Sequence, residues 1–194
     1  MIFQSIYPYT GEVIAAYPVM TDAEVNKLIN RAEDGYATWK QFSYNQRAAV
    51  IVKVAEILKR DRDQLATLIT QEMGKVIAEA KAEVEKCAYV CEYYAQHAAD
   101  FLQDEPLQAG YSQSFVTYQP IGAVLAIMPW NFPFWQVFRY AAPTLMAGNV
   151  TMLKHAPNVC GCANIIQQIF TEAGAPQGVF QTLIIDTPAV EKLL

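Results

Sequence analysis

The chain is poor in charge and shows no strong excess of either sign. Asp, Glu, Lys and Arg make up 17% of its 194 residues, and 14 Lys+Arg stand against 19 Asp+Glu for a formal net charge of −5. A nucleic-acid binder is disfavoured on that ground, because such proteins show a basic face toward the phosphates. No apolar run approaches the roughly 18 residues that span a bilayer. The strongest candidate, 121–128, stops at Pro129. The opening MIFQSIYPYTGE lacks a basic stretch followed by an apolar core, so a secretory leader is not expected and a cytoplasmic location is. Cysteine is sparse: Cys87, Cys91, Cys160 and Cys162 do not make a disulfide framework. With His97 and His155 they do not fall at metal-ligand spacings either. Two nucleotide-binding signatures are missing as well, since no G-x-G-x-x-G follows a strand and no P-loop occurs.

What is present is apolar. Hydrophobic residues make up 53% of the chain, ample for the core of about one domain. Residues 6–18 read as an extended segment turning at Tyr9-Thr10-Gly11. Thr21-Asp22-Ala23-Glu24 is a capping box, in which hydroxyl and carboxylate satisfy amides at a helix start. Val25, Leu28, Ile29, Ala32 and Tyr36 follow at helical spacing. Further helices are expected over 45–59, 62–73 and 76–102, with Gly74 suited to end the third. Ile77, Ala80, Val84, Cys87, Cys91, Tyr94 and Ala98 form the expected inner stripe of the last.

After Pro106 the pattern changes. Residues 114–119 alternate as a strand with two different faces. The run 123–128 is continuously apolar, as expected of a strand buried on both faces of a parallel sheet. A helix over 134–146, a buried strand over 150–153, a helix capped by Asn158 and running to 172, and a strand over 179–185 follow. Strand, helix, strand, helix, strand is the doubly wound α/β pattern, with the earlier helices packed against the sheet.

Ligands of open parallel sheets bind beyond the carboxyl ends of the strands. Two segments leave such ends: Met128-Pro129-Trp130-Asn131-Phe132-Pro133 and Lys154-His155-Ala156-Pro157-Asn158. From the residues alone Asn131 suits either a helix cap or a hydrogen-bond donor to a developing oxyanion. Lys154 suits either a surface position or a ligand hydroxyl or phosphate. Ile127, Met128, Pro129 and Trp130 read equally as core or as a cleft lining. If the segment after Asn131 is helical, Phe132, Trp135, Gln136 and Arg139 share a face with it, and Arg139 can meet a substrate carboxylate or a neighbouring acid. Cys87 and Cys91 read as core. Cys160 and Cys162 fall in the first turn of a helix, where a thiol pKa can drop, although packing is the plainer reading. His97 is expected on or near the surface of the fourth helix, and His155 has no assigned role.

Pro129-Trp130-Asn131-Phe132-Pro133, Ala147-Gly148-Asn149 and Lys154, in that order, resemble the NAD(P)-dependent aldehyde dehydrogenase superfamily, which binds its dinucleotide without the glycine fingerprint. Pro8-Tyr9-Thr10-Gly11-Glu12, Glu72-Met73-Gly74-Lys75 and Ala173-Gly174-Ala175-Pro176-Gln177-Gly178-Val179 resemble further segments of it, so the likeness covers nearly the whole chain. Within the superfamily the chain looks most like bacterial succinate semialdehyde dehydrogenases, where Met-Pro-Trp-Asn-Phe-Pro and Lys-His-Ala-Pro-Asn occur together.

The resemblance implies an α/β fold in which N-terminal helices pack on a partial parallel, Rossmann-like sheet. Residues 1–113 would supply the extended segment and helices, 114–120 an oligomerisation-type strand, and 121–194 the first half of the dinucleotide-binding sheet. Asn131 would lie in the oxyanion hole. Ile127, Met128, Pro129, Trp130 and Lys154 would bind the cofactor, NADP or NAD. Pro157 replaces a glutamate that many NAD-preferring members carry, which removes a charge that would repel a 2′-phosphate. Phe132, Trp135, Gln136 and Arg139 would line the aldehyde tunnel, with Arg139 gripping the carboxylate of succinate semialdehyde. The family's cysteine nucleophile sits in a Gly-Gln-x-Cys context that none of the four cysteines matches, and the catalytic domain lies outside these residues. An aldehyde substrate, a homo-oligomer, and neither nucleic acid nor membrane are the expected partners. A non-catalytic, self-associating protein with a half-built dinucleotide cleft is the alternative.

Overall fold

A short hairpin opens the chain. In the computed structural model, which describes residues 1–193, β1 (Ile2–Ile6) and β2 (Val13–Pro18) pair antiparallel around a turn closed by the Gly11 amide on the Tyr7 carbonyl at 2.8 Å. α1 (Asp22–Trp39) starts at the expected capping box, with Thr21 and Glu24 satisfying each other's backbone amides. α2 (Tyr44–Arg60) starts at a second one, built by Ser43 and Gln46 and not recognised in the sequence. α3 (Arg62–Met73) ends at Gly74, whose φ of 77° lies in the left-handed region that favours glycine. α4 (Ile77–Phe101) buries Ala80, Val84, Cys87, Cys91 and Ala98 as expected, but Ile77 is exposed and Tyr94 is half-buried. Ile77 is the first residue of the helix.

The second half alternates strands and helices. After the two-residue pair β3 (Glu105–Pro106) and β4 (Phe115–Val116) come β5 (Ala123–Met128), α5 (Trp135–Met146), β6 (Val150–His155), α6 (Cys160–Glu172), β7 (Phe180–Thr182) and the short α7 (Thr187–Glu191). β5, β6 and β7 form one parallel sheet in that order, with Ile127 opposite Lys154 and Met128 opposite His155. Phe134, Phe138, Phe170 and Phe180 stack in succession at centroid spacings of 6.0, 5.7 and 4.4 Å and join α5, α6 and β7. Burying each such side chain contributes about 1.5–3 kcal/mol. Trp39 donates its indole N–H to the Leu145 carbonyl at 2.9 Å, and Arg47 donates to the Met146 carbonyl at 2.9 Å. Buried carbonyls in the last turn of α5 are thereby satisfied, with a cation at the negative pole of the helix.

Four expectations need correction. β5 is not buried on both faces: it is an edge strand among the described residues, Ile127 is 54% exposed, and only Ala126 is fully covered. Its apolar run matches the buried-strand pattern because sequence cannot tell an edge from a centre. The strand expected over 114–119 shrinks to two residues, since its pairing partner is only two residues long. The strand expected over 179–185 keeps a ladder over Phe180–Thr182 alone, with Leu183 adding one bond to the Leu153 carbonyl. Asn158 does not cap α6: Val159 precedes the helix and no local side chain caps it.

α1 crosses the loop before β7 with backbone against backbone. A Cβ on Gly35 would lie 2.6 Å from the Gly178 carbonyl carbon and 2.8 Å from the Gln177 carbonyl oxygen. Helix propensity alone would make Gly35→Ala stabilising by about 1 kcal/mol. The contact reverses that sign, and we expect a loss of about 1–3 kcal/mol from overpacking. Urea denaturation checks it, and a Gly35→Ala variant at or above the parent's stability would disprove the close crossing.

Candidate active site at the carboxyl ends of the strands

The helices that leave β5 and β6 both begin without a cap of their own. In each case a buried glutamate from an earlier helix supplies one. Glu83 of α4 accepts from the Phe134 and Trp135 amides, both at 2.9 Å, through one carboxylate oxygen. Its other oxygen pairs with Lys75, and both side chains are buried. Glu72 of α3 accepts from the Gly161 and Cys162 amides at 2.9 and 2.8 Å and from the Ser5 hydroxyl. Negative charge at a helix N-terminus is favourable, and a buried carboxylate is stable only when its lone pairs are occupied. Both conditions are met here. Gly161 has no side chain because one would collide: an added Cβ would stand 2.7 Å from Glu72 Oε1 and 2.9 Å from the Tyr17 hydroxyl.

These bonds give Glu72-Met73-Gly74-Lys75 a physical role that the sequence did not disclose. Glu72 caps α6, Gly74 turns the chain, and Lys75 neutralises the cap of α5. Ala147-Gly148-Asn149 has a similar role. Asn149 Oδ1 accepts from the Ile121 and Gly122 amides at 2.7 and 3.1 Å and fixes the entry to β5.

Asn131 is left exposed by this arrangement. It does not cap α5, whose N-cap position is Phe134 and whose first amides are held by Glu83, and its side chain makes no hydrogen bond among the described residues. The loop around it is held on three sides. The Lys75 ammonium lies 3.7 Å from the Phe132 ring centroid. His155 meets the Pro133 carbonyl with Nε2 at 2.9 Å, while its Nδ1 accepts from the Ala156 amide at 2.9 Å. Those partners assign the Nε2–H neutral tautomer. Glu83 holds the next two amides.

The other expected residues are distributed around this loop. Phe132 and Trp135 line a groove of about 330 Å³ with Glu79, Ala82, Glu83 and Lys86, and the Lys86 ammonium lies 3.9 Å from the Trp135 ring centroid. Trp130, half exposed, lines a different groove of about 390 Å³ with Gln4, Ile6, Pro8, Met73 and Asn158. Residues 131–134 precede the helix, so only Trp135, Gln136 and Arg139 share a helical face. Arg139 is exposed and forms no ion pair among the described residues, and Gln136 is half-buried. Ile127 and Lys154 stand side by side at the strand ends, outside both grooves. Met128 is half-buried opposite His155, and Pro129 is exposed.

The cysteines are packing residues. All four are buried and free. The helix start does not lower the Cys160 thiol: burial and the Glu72 carboxylate push it up to about 12, and Cys162 is held well above the thiol range for the same reasons. Cys87 is likewise raised by burial. His97 stacks against Tyr93 on α4, with centroids 4.7 Å apart. Among the described residues no group of three or more His, Cys, Asp and Glu is gathered as a metal site, and no helix is long and apolar enough to cross a membrane.

Burial lowers the His155 pKa below its ordinary 6.5. The native state therefore holds it neutral where the unfolded chain takes up a proton. Its stability contribution is complete above pH 6.5 and is lost as pH falls toward the folded-state value, by up to about 1.4 kcal/mol per pH unit. A His155→Gln variant should show a shallower loss of stability between pH 7 and 5 than the parent. Parallel pH profiles for the two would contradict this.

The aldehyde dehydrogenase family model matches residues 1–194. The chain is 47% identical over 194 residues to a protein of Synechocystis sp. named a probable succinate-semialdehyde dehydrogenase [NADP(+)], covering all of this chain and 43% of that one. It is 46% identical over 197 residues to succinate-semialdehyde dehydrogenase [NADP(+)] 1 of Mycobacterium bovis, with the same coverage. Among solved structures, the succinic semialdehyde dehydrogenase of Streptococcus pyogenes in complex with NADP+ superposes with a TM-score of 0.95 at 38% identity, covering 98% of this chain and 42% of that one. The chain thus spans less than half the length of these relatives. With a match along its whole length and the parallel sheet, hairpin and helices in common with the solved relative, the chain belongs to the aldehyde dehydrogenase family.

Proposed function

We propose that the chain forms the cofactor-binding portion of an enzyme that oxidises succinate semialdehyde to succinate with NADP+. One observation carries the reading. Beyond the carboxyl ends of the strands Glu72, Glu83 and His155 are spent on the fold, whereas the Asn131 amide and the Lys154 ammonium are not. Unspent polar groups beyond the carboxyl ends of a parallel sheet are where such folds receive ligands. The names of the relatives support the substrate and cofactor.

Lys154 suits a phosphorylated ribose. Position 157 is proline, and the Lys154 ammonium forms no ion pair among the described residues. An ammonium acts on phosphate as a compact point charge with rotatable donors. Ile127, Met128, Pro129 and Trp130 border the same edge as apolar wall. The bound dinucleotide would supply the hydride acceptor. Asn131, a neutral donor, would stabilise the oxyanion formed when a cysteine outside these residues attacks the aldehyde. Exposed Arg139 would hold the distal carboxylate by two parallel hydrogen bonds, with Phe132, Trp135 and Gln136 beside the aldehyde path. In this reading residues 1–113 are the helical support, 114–120 an oligomer-contact strand and 121–194 half of the dinucleotide sheet.

In an active enzyme carrying this chain, Arg139→Ala should cut turnover of succinate semialdehyde far more than that of butyraldehyde, and equal losses would refute the carboxylate role. Lys154→Met should raise the NADP+ dissociation constant about 10- to 100-fold, the worth of one or two charge-assisted hydrogen bonds. An unchanged constant in titration calorimetry would remove Lys154 from the cofactor site. The 194-residue chain alone should form no NAD(P)H from succinate semialdehyde, and measurable product would refute the assignment of the nucleophile to other residues.

A further inference from the structure

We propose that Glu83 and Lys75 are positioning residues for Asn131; this rests on the oxyanion role proposed above. Glu83 borders the groove beside Phe132 and Trp135, but its carboxylate oxygens are taken up by the fold. A buried ion pair seldom stabilises a fold more than apolar residues of the same volume would, and both partners are buried. Their contacts converge on residues 132–135, directly after Asn131, instead. Glu83 accepts from the amides of Phe134 and Trp135, three and four residues after Asn131. Lys75 neutralises Glu83 and lies 3.7 Å from the centroid of Phe132, the residue next to Asn131. The loop between strand and helix therefore has its exit fixed and its aromatic neighbour held.

The capping also has a chemical consequence. Asparagine is among the best N-cap residues, and Asn131 stands three residues before Phe134, the N-cap position of a helix with no side-chain cap of its own. With Glu83 on the Phe134 and Trp135 amides, Asn131 Oδ1 is not drawn into a cap. Removing the carboxylate frees those amides to donate to Asn131 Oδ1, which would turn the carboxamide and its N–H groups away from the substrate oxygen. Displacement of a reacting group by about 1 Å can cost roughly 100-fold in rate.

A double-mutant cycle in the active enzyme tests this. Glu83→Gln and Lys75→Met should each lower kcat about 10- to 100-fold with the NADP+ dissociation constant unchanged, and Lys75→Arg, which keeps the ion pair, should restore most of the rate. In an Asn131→Ala background Glu83→Gln and Lys75→Met should cost little more, because the group they position is gone. Should Glu83→Gln fail to fold, the Lys75 pair of variants carries the same cycle. Additive losses in the two backgrounds overturn the positioning role and leave the oxyanion reading intact. A parental kcat for Asn131→Ala overturns both.

Discussion

The desolvated start of a helix is the constraint around which this molecule is arranged. Helices α5 and α6 begin where the sheet ends, inside the protein, with amides that need acceptors. Water cannot reach them freely and the local residues do not serve. Two carboxylates from the preceding helical layer do, and each introduces a charge that must itself be balanced. Glu83 is balanced by Lys75 and two amides, Glu72 by two amides and a hydroxyl. The packing of α3 against α6 and of α4 against α5, the turn at Gly74 and the absence of a side chain at Gly161 all follow from bringing those carboxylates into place.

The motifs of the family divide accordingly into two kinds. Glu72-Met73-Gly74-Lys75, Ala147-Gly148-Asn149 and the Gly178 turn are used by the fold: they cap, start a strand, or let two backbones touch. Asn131 and Lys154 have no such use. A motif residue that packing and hydrogen bonding leave idle is a better candidate for chemistry than one they employ.

Much of the architecture was legible in the sequence because it is local. The Thr21 capping box, the end of α3 at Gly74 and the strand-helix alternation after residue 120 depend on neighbours a few positions apart. What escaped is long-range. Asn158 looks like the cap of α6, and nothing near it reveals that a carboxylate 89 positions before Gly161 does the work. The edge position of β5 is equally invisible, since an apolar run reads the same with one neighbour or two. For the site, the positions of Asn131 and Lys154 at strand ends were legible, but the freedom of Asn131 was not, because it depends on Glu83. Likewise the packing reading of Cys160 was legible, whereas the burial and the Glu72 carboxylate that raise its thiol at a helix start were not.

The remote caps also impose an order of assembly. The bonds from Glu83 and Glu72 close loops of 51 and 89 residues, and contacts of that separation form slowly. In a chain made from its N-terminus, α3 and α4 exist before the amides that they will cap. The helical layer is therefore a template in time as well as in space: neither crossover helix can finish its first turn until the layer beneath it has settled, so errors in packing α3 or α4 would be inherited by the strand ends.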